Sequence, residues 1–331
     1  MDLVLGHCAA DANEHCSHLV QVQLGKGYIK QDEKQGLPYL WYGRTTTAST
    51  LLSVSITIST VNVNGIRAAV RHRSEANRGL LAWLATADSD VVLLQEVRAD
   101  EDQARDALAP VLDDGWQFAM SSSVVKGHAG VGVLSRVPLT GVRAGFGSDE
   151  FDATARYIEA DLDSALGPMT VASLYLPKGA AATTVPKDVA KFDEKARFLD
   201  EFGGYLDRLR RRRRHVVVGG DWNIAHAEAD IKNWKGNLKS PGFLPHERTW
   251  VGGLLDAGWS DVMRDLAPGE EGPYTWWSWR GKAFDNDSGW RIDYQLANKS
   301  LAKRAVKATV DRADAYDLRW SDHAPMTVVY D

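Results

Sequence analysis

An α/β (α+β) fold is the expectation for this chain, and two features of the sequence carry it. Short β-branched runs such as Val216-Val217-Val218 alternate along the chain with a long stretch of helical periodicity. Several of those runs, moreover, end in an acid or an amide, as at Glu96 and Asp221. In open α/β sheets the carboxyl ends of strands are where ligands are handled, so polar groups there are well placed for chemistry. The chain has 331 residues with 44% apolar and 25% charged content, a composition expected of a soluble globular protein with an ample core. Its formal net charge of −5 does not advertise a nucleic-acid partner, yet a basic rim can surround an acidic site. No run approaches the length of a membrane span, no secretory leader is recognisable, and the only cysteines are Cys8 and Cys16. An intracellular, cytoplasmic protein is therefore expected, with no membrane partner.

Residues 1–53 differ from the rest of the chain. His7, Cys8, His15, Cys16 and His18 match no standard zinc spacing, and the glycine-containing stretch up to Thr45-Thr46-Thr47 has no sustained period. A poorly ordered extension is expected there. The regular body begins at Val54. Alternation of Val54, Ile56 and Ile58 with Ser and Thr predicts a half-buried strand through Val63 into Asn64-Gly65, then a helix containing Leu80, Leu81, Trp83 and Leu84. Asp90 to Glu96 reads as a second, buried strand ending in an acid.

Further strands are expected around Val131–Leu134, Tyr157–Leu162 and Met169–Leu176, the last running into Tyr175-Leu176-Pro177-Lys178-Gly179, where proline and glycine enforce a loop. Val189, Phe192, Ala196, Leu199, Phe202, Leu206 and Leu209 recur at spacings of three and four, the apolar stripe of one long helix. Arg210 to Arg214 come after it as solvated cations favoured at a helix C-terminus. The strand His215–Val218 then leads through Gly219-Gly220, read as a sharp turn, to Asp221, Trp222 and Asn223. Residues 231–250 look loop-like, and Tyr274–Arg280 reads as an aromatic strand. Arg291–Leu296 carries an acid inside a strand, so Asp293 needs a specific partner. Ser321-Asp322-His323 precedes a last strand, Ala324–Tyr330.

Asn62, Glu96, Tyr175, Asp221, Asn223, Asp293, Asp322 and His323 thus all fall at or near strand ends, as a site assembled at a sheet rim would require. Oxygen donors without a His/Cys cluster suit a hard cation, Mg²⁺ or Mn²⁺, and disfavour zinc or cysteine chemistry. No Walker-type loop is present.

These residues lie within Asn62-Val63-Asn64-Gly65-Ile66-Arg67, Leu94-Gln95-Glu96, Tyr175-Leu176-Pro177-Lys178-Gly179, Gly220-Asp221-Trp222-Asn223, Thr275-Trp276-Trp277, Arg291-Ile292-Asp293-Tyr294 and Ser321-Asp322-His323. In that order the segments resemble the motifs of the exonuclease III family of bacterial abasic-site endonucleases, within the endonuclease/exonuclease/phosphatase superfamily. The resemblance covers residues 54–331 and implies one catalytic domain, a DNase I-like four-layered sandwich of two packed mixed sheets flanked by helices. It implies a metal held by Glu96 with Asn62 and Asp322, a general base at Asp221 oriented by Asn223, and a phosphate-binding His323 fixed by Asp293. Tyr175 would donate to the phosphate or assist the leaving oxygen. For substrate it implies Arg67 on phosphate and Trp276 as the wall of an abasic-sugar pocket; Lys178 departs from the neutral residue common in the family's loop and reads either as a DNA-backbone contact or as a surface lysine.

The implied partner is double-stranded DNA with abasic sites or 3′ ends, cleaved to leave a 3′-hydroxyl by a monomer that needs no protein partner. Two alternatives stand beside it: an inositol phosphate or lipid phosphodiesterase of the same fold, and a catalytically silent DNA-binding member.

Overall fold

The computed structural model describes residues 55–181 and 184–331; the expectation of a poorly ordered extension over residues 1–53 falls outside them. Among the described residues, twelve strands are arranged in two six-stranded sheets. They are β1 (Ile56–Asn62), β2 (Val91–Gln95), β3 (Gln117–Ser121), β4 (Val131–Ser135), β5 (Thr140–Ala144), β6 (Tyr157–Ser164), β7 (Gly167–Tyr175), β8 (His215–Asp221), β9 (Trp259–Asp261), β10 (Asp293–Asn298), β11 (Ala305–Val310) and β12 (Met326–Tyr330). The helices are α1 (Ile66–Ala69), α2 (Gly79–Thr86), α3 (Glu101–Asp113), α4 (Pro186–Leu209), α5 (Pro245–Asp256), α6 (Val262–Leu266) and α7 (Lys299–Ala302). One sheet runs β11-β12-β1-β2-β4-β3 and the other β5-β6-β7-β8-β10-β9. Each is mixed, because β1 pairs parallel with β2 and β7 parallel with β8 while their other neighbours are antiparallel.

Burial follows the two-residue period of a strand. In β8, Val217 packs against Ile58, Leu93 and Val133 of the opposite sheet, whereas Val216 and Val218 face Phe198, Phe202 and Leu206 of α4. On the far side, Val61, Val92 and Leu94 meet Leu80 and Leu84 of α2 and Leu108 of α3. The layers are therefore helix, sheet, sheet, helix, as the resemblance implies. No helix among the described residues is long and apolar enough to cross a membrane.

Four sequence expectations need correction. Gly219 and Gly220 do not turn the chain, because β8 continues through both to Asp221. They are glycines because a Cβ at 219 would lie 2.5 Å from Leu93 Cδ1, and one at 220 would lie 2.0 Å from the Leu174 carbonyl oxygen. The turn comes later, where Asn223 takes a φ of 48°. Residues 231–250 are not all loop, since α5 starts at Pro245, the favoured first helical position. Tyr274–Arg280 is not a regular strand: Trp276 makes only isolated bridges, to Trp290 and His323. Finally, the arginine run after α4 is ion-paired rather than merely solvated, with Arg210 and Arg211 on Asp207, Arg212 on Glu159 and Arg214 on Asp161.

Candidate active site

Both sheets deliver polar groups to a cleft of about 450 Å³ at one end of the sandwich. Glu96 follows β2, Tyr175 ends β7, Asp221 ends β8 and Asp293 opens β10, while His323 precedes β12. Register does part of the placement: Asp221 is the Cα partner of Asp293 in the antiparallel β8/β10 pair and of Tyr175 in the parallel β7/β8 pair. Three closely spaced carboxylates would repel one another, so the details of their pairing decide the chemistry.

Asp221 is buried and accepts from Asn62 Nδ2 at 2.9 Å, Asn223 Nδ2 at 3.1 Å and the Asn223 backbone N–H at 2.9 Å. Burial pushes its carboxyl up; facing His323 opposes this and Asp293 adds to it, leaving the group at about 7. His323 Nδ1 lies 2.8 Å from Asp293 Oδ2, and Nε2 faces Asp221 Oδ2 at 3.7 Å. Burial alone would pull the imidazole down, but the Asp293 and Asp221 carboxylates outweigh it and raise it to about 10. His323 is then an imidazolium at neutral pH. Thr275 supports the arrangement by accepting the Asp293 backbone N–H at 3.1 Å, and Ser321 by accepting that of His323 at 3.2 Å and donating to the Asn62 carbonyl at 2.6 Å.

Asp221, Asp293 and His323 offer ligating atoms within 4.8 Å of one another. Those atoms are already turned on each other, with Asp293 Oδ2 hydrogen-bonded to the ring, which suits holding a proton better than holding an ion. Glu96 is different. Its Oε2 pairs with the guanidinium of Arg98 and its carboxylate faces the Tyr175 phenol, but it lines the cleft untied to His323, so it is an oxygen donor suited to a hard cation. Asp322 accepts from Asn64 Nδ2 at 2.7 Å on one oxygen and from Trp276 Nε1 at 3.1 Å on the other. Asn62 Oδ1 accepts the Asn64 backbone N–H at 2.9 Å. Each of these oxygens keeps a further lone pair, so the oxygen set fits such a cation with Glu96 as its anchor.

Around this centre, burial and then the Glu96 and Asp221 carboxylates push the Tyr175 phenol well above its usual range, so it stays a donor. Trp276 lines the cleft edge-on to Trp290, with ring centroids 6.1 Å apart, and Lys178 Nζ sits 5.9 Å from its ring centroid. Arg67 is exposed on α1 and does not line the cleft. The cation found there instead is Arg98, whose Nη1 donates to Asn64 Oδ1 at 2.7 Å. Its position two residues after Glu96 was a usable signal in the sequence. Lys195 and Glu247, buried behind the cleft, gave none beyond their places on helices.

A two-sheet sandwich with an oxygen-rich cleft of this kind defines a hydrolase of phosphoesters. A family model described as the Endonuclease/Exonuclease/phosphatase family matches residues 59–323, and the chain belongs to that family. An exodeoxyribonuclease III of Haemophilus influenzae is 32% identical over 276 residues, covering 80% of this chain and 96% of that protein. An exodeoxyribonuclease of Bacillus subtilis is 31% identical over 268 residues, covering 81% and 96%. Among solved structures, an AP endonuclease from Archaeoglobus fulgidus superposes with a TM-score of 0.72 at 26% identity, over 83% of this chain and 99% of that one.

Proposed function

We propose that residues 54–331 form a metal-dependent DNA phosphodiesterase of exodeoxyribonuclease III type, acting in base excision repair as an abasic-site endonuclease and 3′–5′ exonuclease. The observation that carries this is the pairing of Asp221, buried and hydrogen-bonded by two asparagines, with His323 held by Asp293, in a cleft walled by Trp276. The names of the relatives supply the substrate class: nucleases of DNA and an AP endonuclease.

In this reading Glu96, with Asn62 and Asp322, holds Mg²⁺, or Mn²⁺ in its place. When bound, the ion neutralises charge that builds on the phosphoryl oxygens. Asp221 takes the proton of the attacking water, and the two N–H groups of Asn223 hold the carboxylate in position for it. The His323 imidazolium donates to a phosphoryl oxygen through Nε2, while Asp293 fixes the ring and favours its charge. Tyr175 donates to the phosphate or to the departing oxygen. Trp276 packs against an abasic sugar, whereas an intact nucleotide must be flipped into the pocket at a cost, and Arg67 and Lys178 contact the DNA backbone. The product is a 3′-hydroxyl end. A monomer working in the cytoplasm completes the proposal.

The test is a duplex carrying one abasic site, incubated with Mg²⁺ or with chelator. Incision that needs the metal and leaves an end a polymerase extends is expected. Absence of metal-dependent incision would overturn the function, and unchanged cleavage by Asp221→Asn would overturn the base assignment.

A further inference from the structure

Behind the cleft lies an ion pair that takes no part in the proposed reaction. Lys195 of α4 and Glu247 of α5 meet at 2.6 Å, with side-chain exposures of only 3% and 1%. A buried pair of this kind is costly to desolvate and is poor evidence for stability in itself, so what else the two groups hold is the question. Lys195 Nζ also donates to the Asn223 carbonyl at 3.0 Å and to the Lys178 carbonyl at 3.3 Å. The second oxygen of Glu247 accepts the backbone N–H groups of Gly242 at 2.7 Å and Leu244 at 3.0 Å. Lys178, Asn223 and Gly242 line the cleft on three separate segments of chain.

Packing is tight around the same ammonium. A Cβ at Gly179 would come within 2.7 Å of Lys195 Cδ, and one at Gly242 within 2.9 Å of the Asn223 carbonyl oxygen. Asn223 itself sits at a φ of 48°, in the left-handed region that asparagine enters more readily than other non-glycine residues. Its carbonyl is what Lys195 grips, and its side chain is what aims Asp221.

We propose that Lys195 and Glu247 are positioning residues: one buried cation–anion pair that clamps the loops carrying Asn223, Lys178 and Gly242, and through Asn223 sets the orientation of Asp221. The inference rests on the nuclease reading for its kinetic consequence but not for its structural one. A misplacement of the base by even an ångström costs about a hundredfold in rate. Of the two proposed DNA-backbone contacts, Lys178 lies within the clamp and Arg67 outside it, so turnover should fall by more than substrate affinity.

Lys195→Met alone leaves the Glu247 carboxylate buried and unpaired, so the test uses Lys195→Met/Glu247→Gln beside it, with Lys195→Arg as the conservative variant. Amide exchange read by mass spectrometry needs no substrate. It should show faster exchange at the Asn223 and Gly242 amides in the double variant while strand β8 stays protected. On the abasic duplex, the folded double variant should lose ten- to a hundredfold in kcat with KM within about threefold of the parent, and Lys195→Arg should recover most of the loss. The clamp is refuted by unchanged exchange at both amides, or by a kcat within threefold of the parent once normalised to the folded fraction by circular dichroism. Should the parent itself fail to incise, the nuclease reading falls while the exchange result still decides the clamp.

Discussion

Replacing Asp293 by Asn separates charge from geometry at the phosphate-facing end of the site. Asp293 is fully buried, and its Oδ2 meets His323 Nδ1 at 2.8 Å. The carboxamide oxygen can accept the same N–H, so the ring keeps its place, but the anion is gone. Burial pulls the His323 imidazole down, and the Asp293 charge leads the interactions that lift it from 6.5 to about 10. That rise is worth roughly 5 kcal/mol of preference for the imidazolium, and Asp293 is its first source. In the variant, burial acts with less opposition and the ring titrates nearer neutrality. The enzyme should then lose its cationic histidine at a lower pH than the parent, which loses it as pH rises through about 10. The assay is the pH dependence of kcat/KM on a short abasic duplex. The parent should give a plateau bounded by an acidic limb, where Asp221 near 7 ionises, and an alkaline limb near 10. A bound cation beside Glu96 would move the acidic limb lower. Asp293→Asn should bring the alkaline limb down by about two or more pH units, a loss of about fourfold or more at about pH 8.5. Ring-carbon NMR of His323 titrated in both proteins gives the same answer without turnover. An alkaline limb unmoved in the variant would refute the claim that His323 works as an imidazolium held by Asp293.

Glu96→Gln should weaken Mn²⁺ binding by at least about tenfold in a calorimetric titration without DNA, since it removes the negative charge of a cleft carboxylate that is not tied to His323. Arg67→Ala and Lys178→Ala should each make the salt dependence of DNA binding shallower by roughly one in log–log slope if the cation touches a phosphate; an unchanged slope would remove that residue from the interface. Phe202 is fully buried, with Phe146, Tyr157 and Phe198 at ring distances of 5.1, 5.3 and 5.5 Å, so Phe202→Ala should cost about 3–5 kcal/mol. In a thermal melt that corresponds to a drop of roughly 10 °C.

The sequence was most legible where one pattern was enforced by one environment. The α4 stripe from Leu199 to Leu209 and the strands at Val91 and Val216 are buried on defined faces, and their periods say so, whereas the start of the stripe at Val189 is exposed. Edge strands β3, β5, β9 and β11 left no such trace, because β5 and β11 are largely exposed and β9 has only three residues. The site residues Glu96, Asp221, Asp293 and His323 were visible as polar groups interrupting apolar strands, and the structure brings Glu96, Asp221 and His323 to one cleft with Asp293 buried against His323. Their roles remain proposals. What could not be read was the reason for Gly219 and Gly220, since the atoms that exclude a side chain there belong to Leu93 and Leu174, far away in sequence. Lys195 and Glu247 escaped for a similar reason, as their partners lie on other segments of the fold, whereas Arg98, two residues from its partner Glu96, was within reach of the sequence.

Asn62, Glu96 and His323 are attached to one sheet, whereas Tyr175, Asp221 and Asp293 are attached to the other. Nothing within either sheet alone can assemble the set. Turnover is consequently a gauge of how the two halves of the sandwich are seated: a slide of one against the other by a fraction of a residue would silence the enzyme while leaving every strand, helix and circular-dichroism band intact. Mild denaturant that loosens the inter-sheet core at Ile58, Leu93 and Val217 should therefore extinguish cleavage before secondary structure melts.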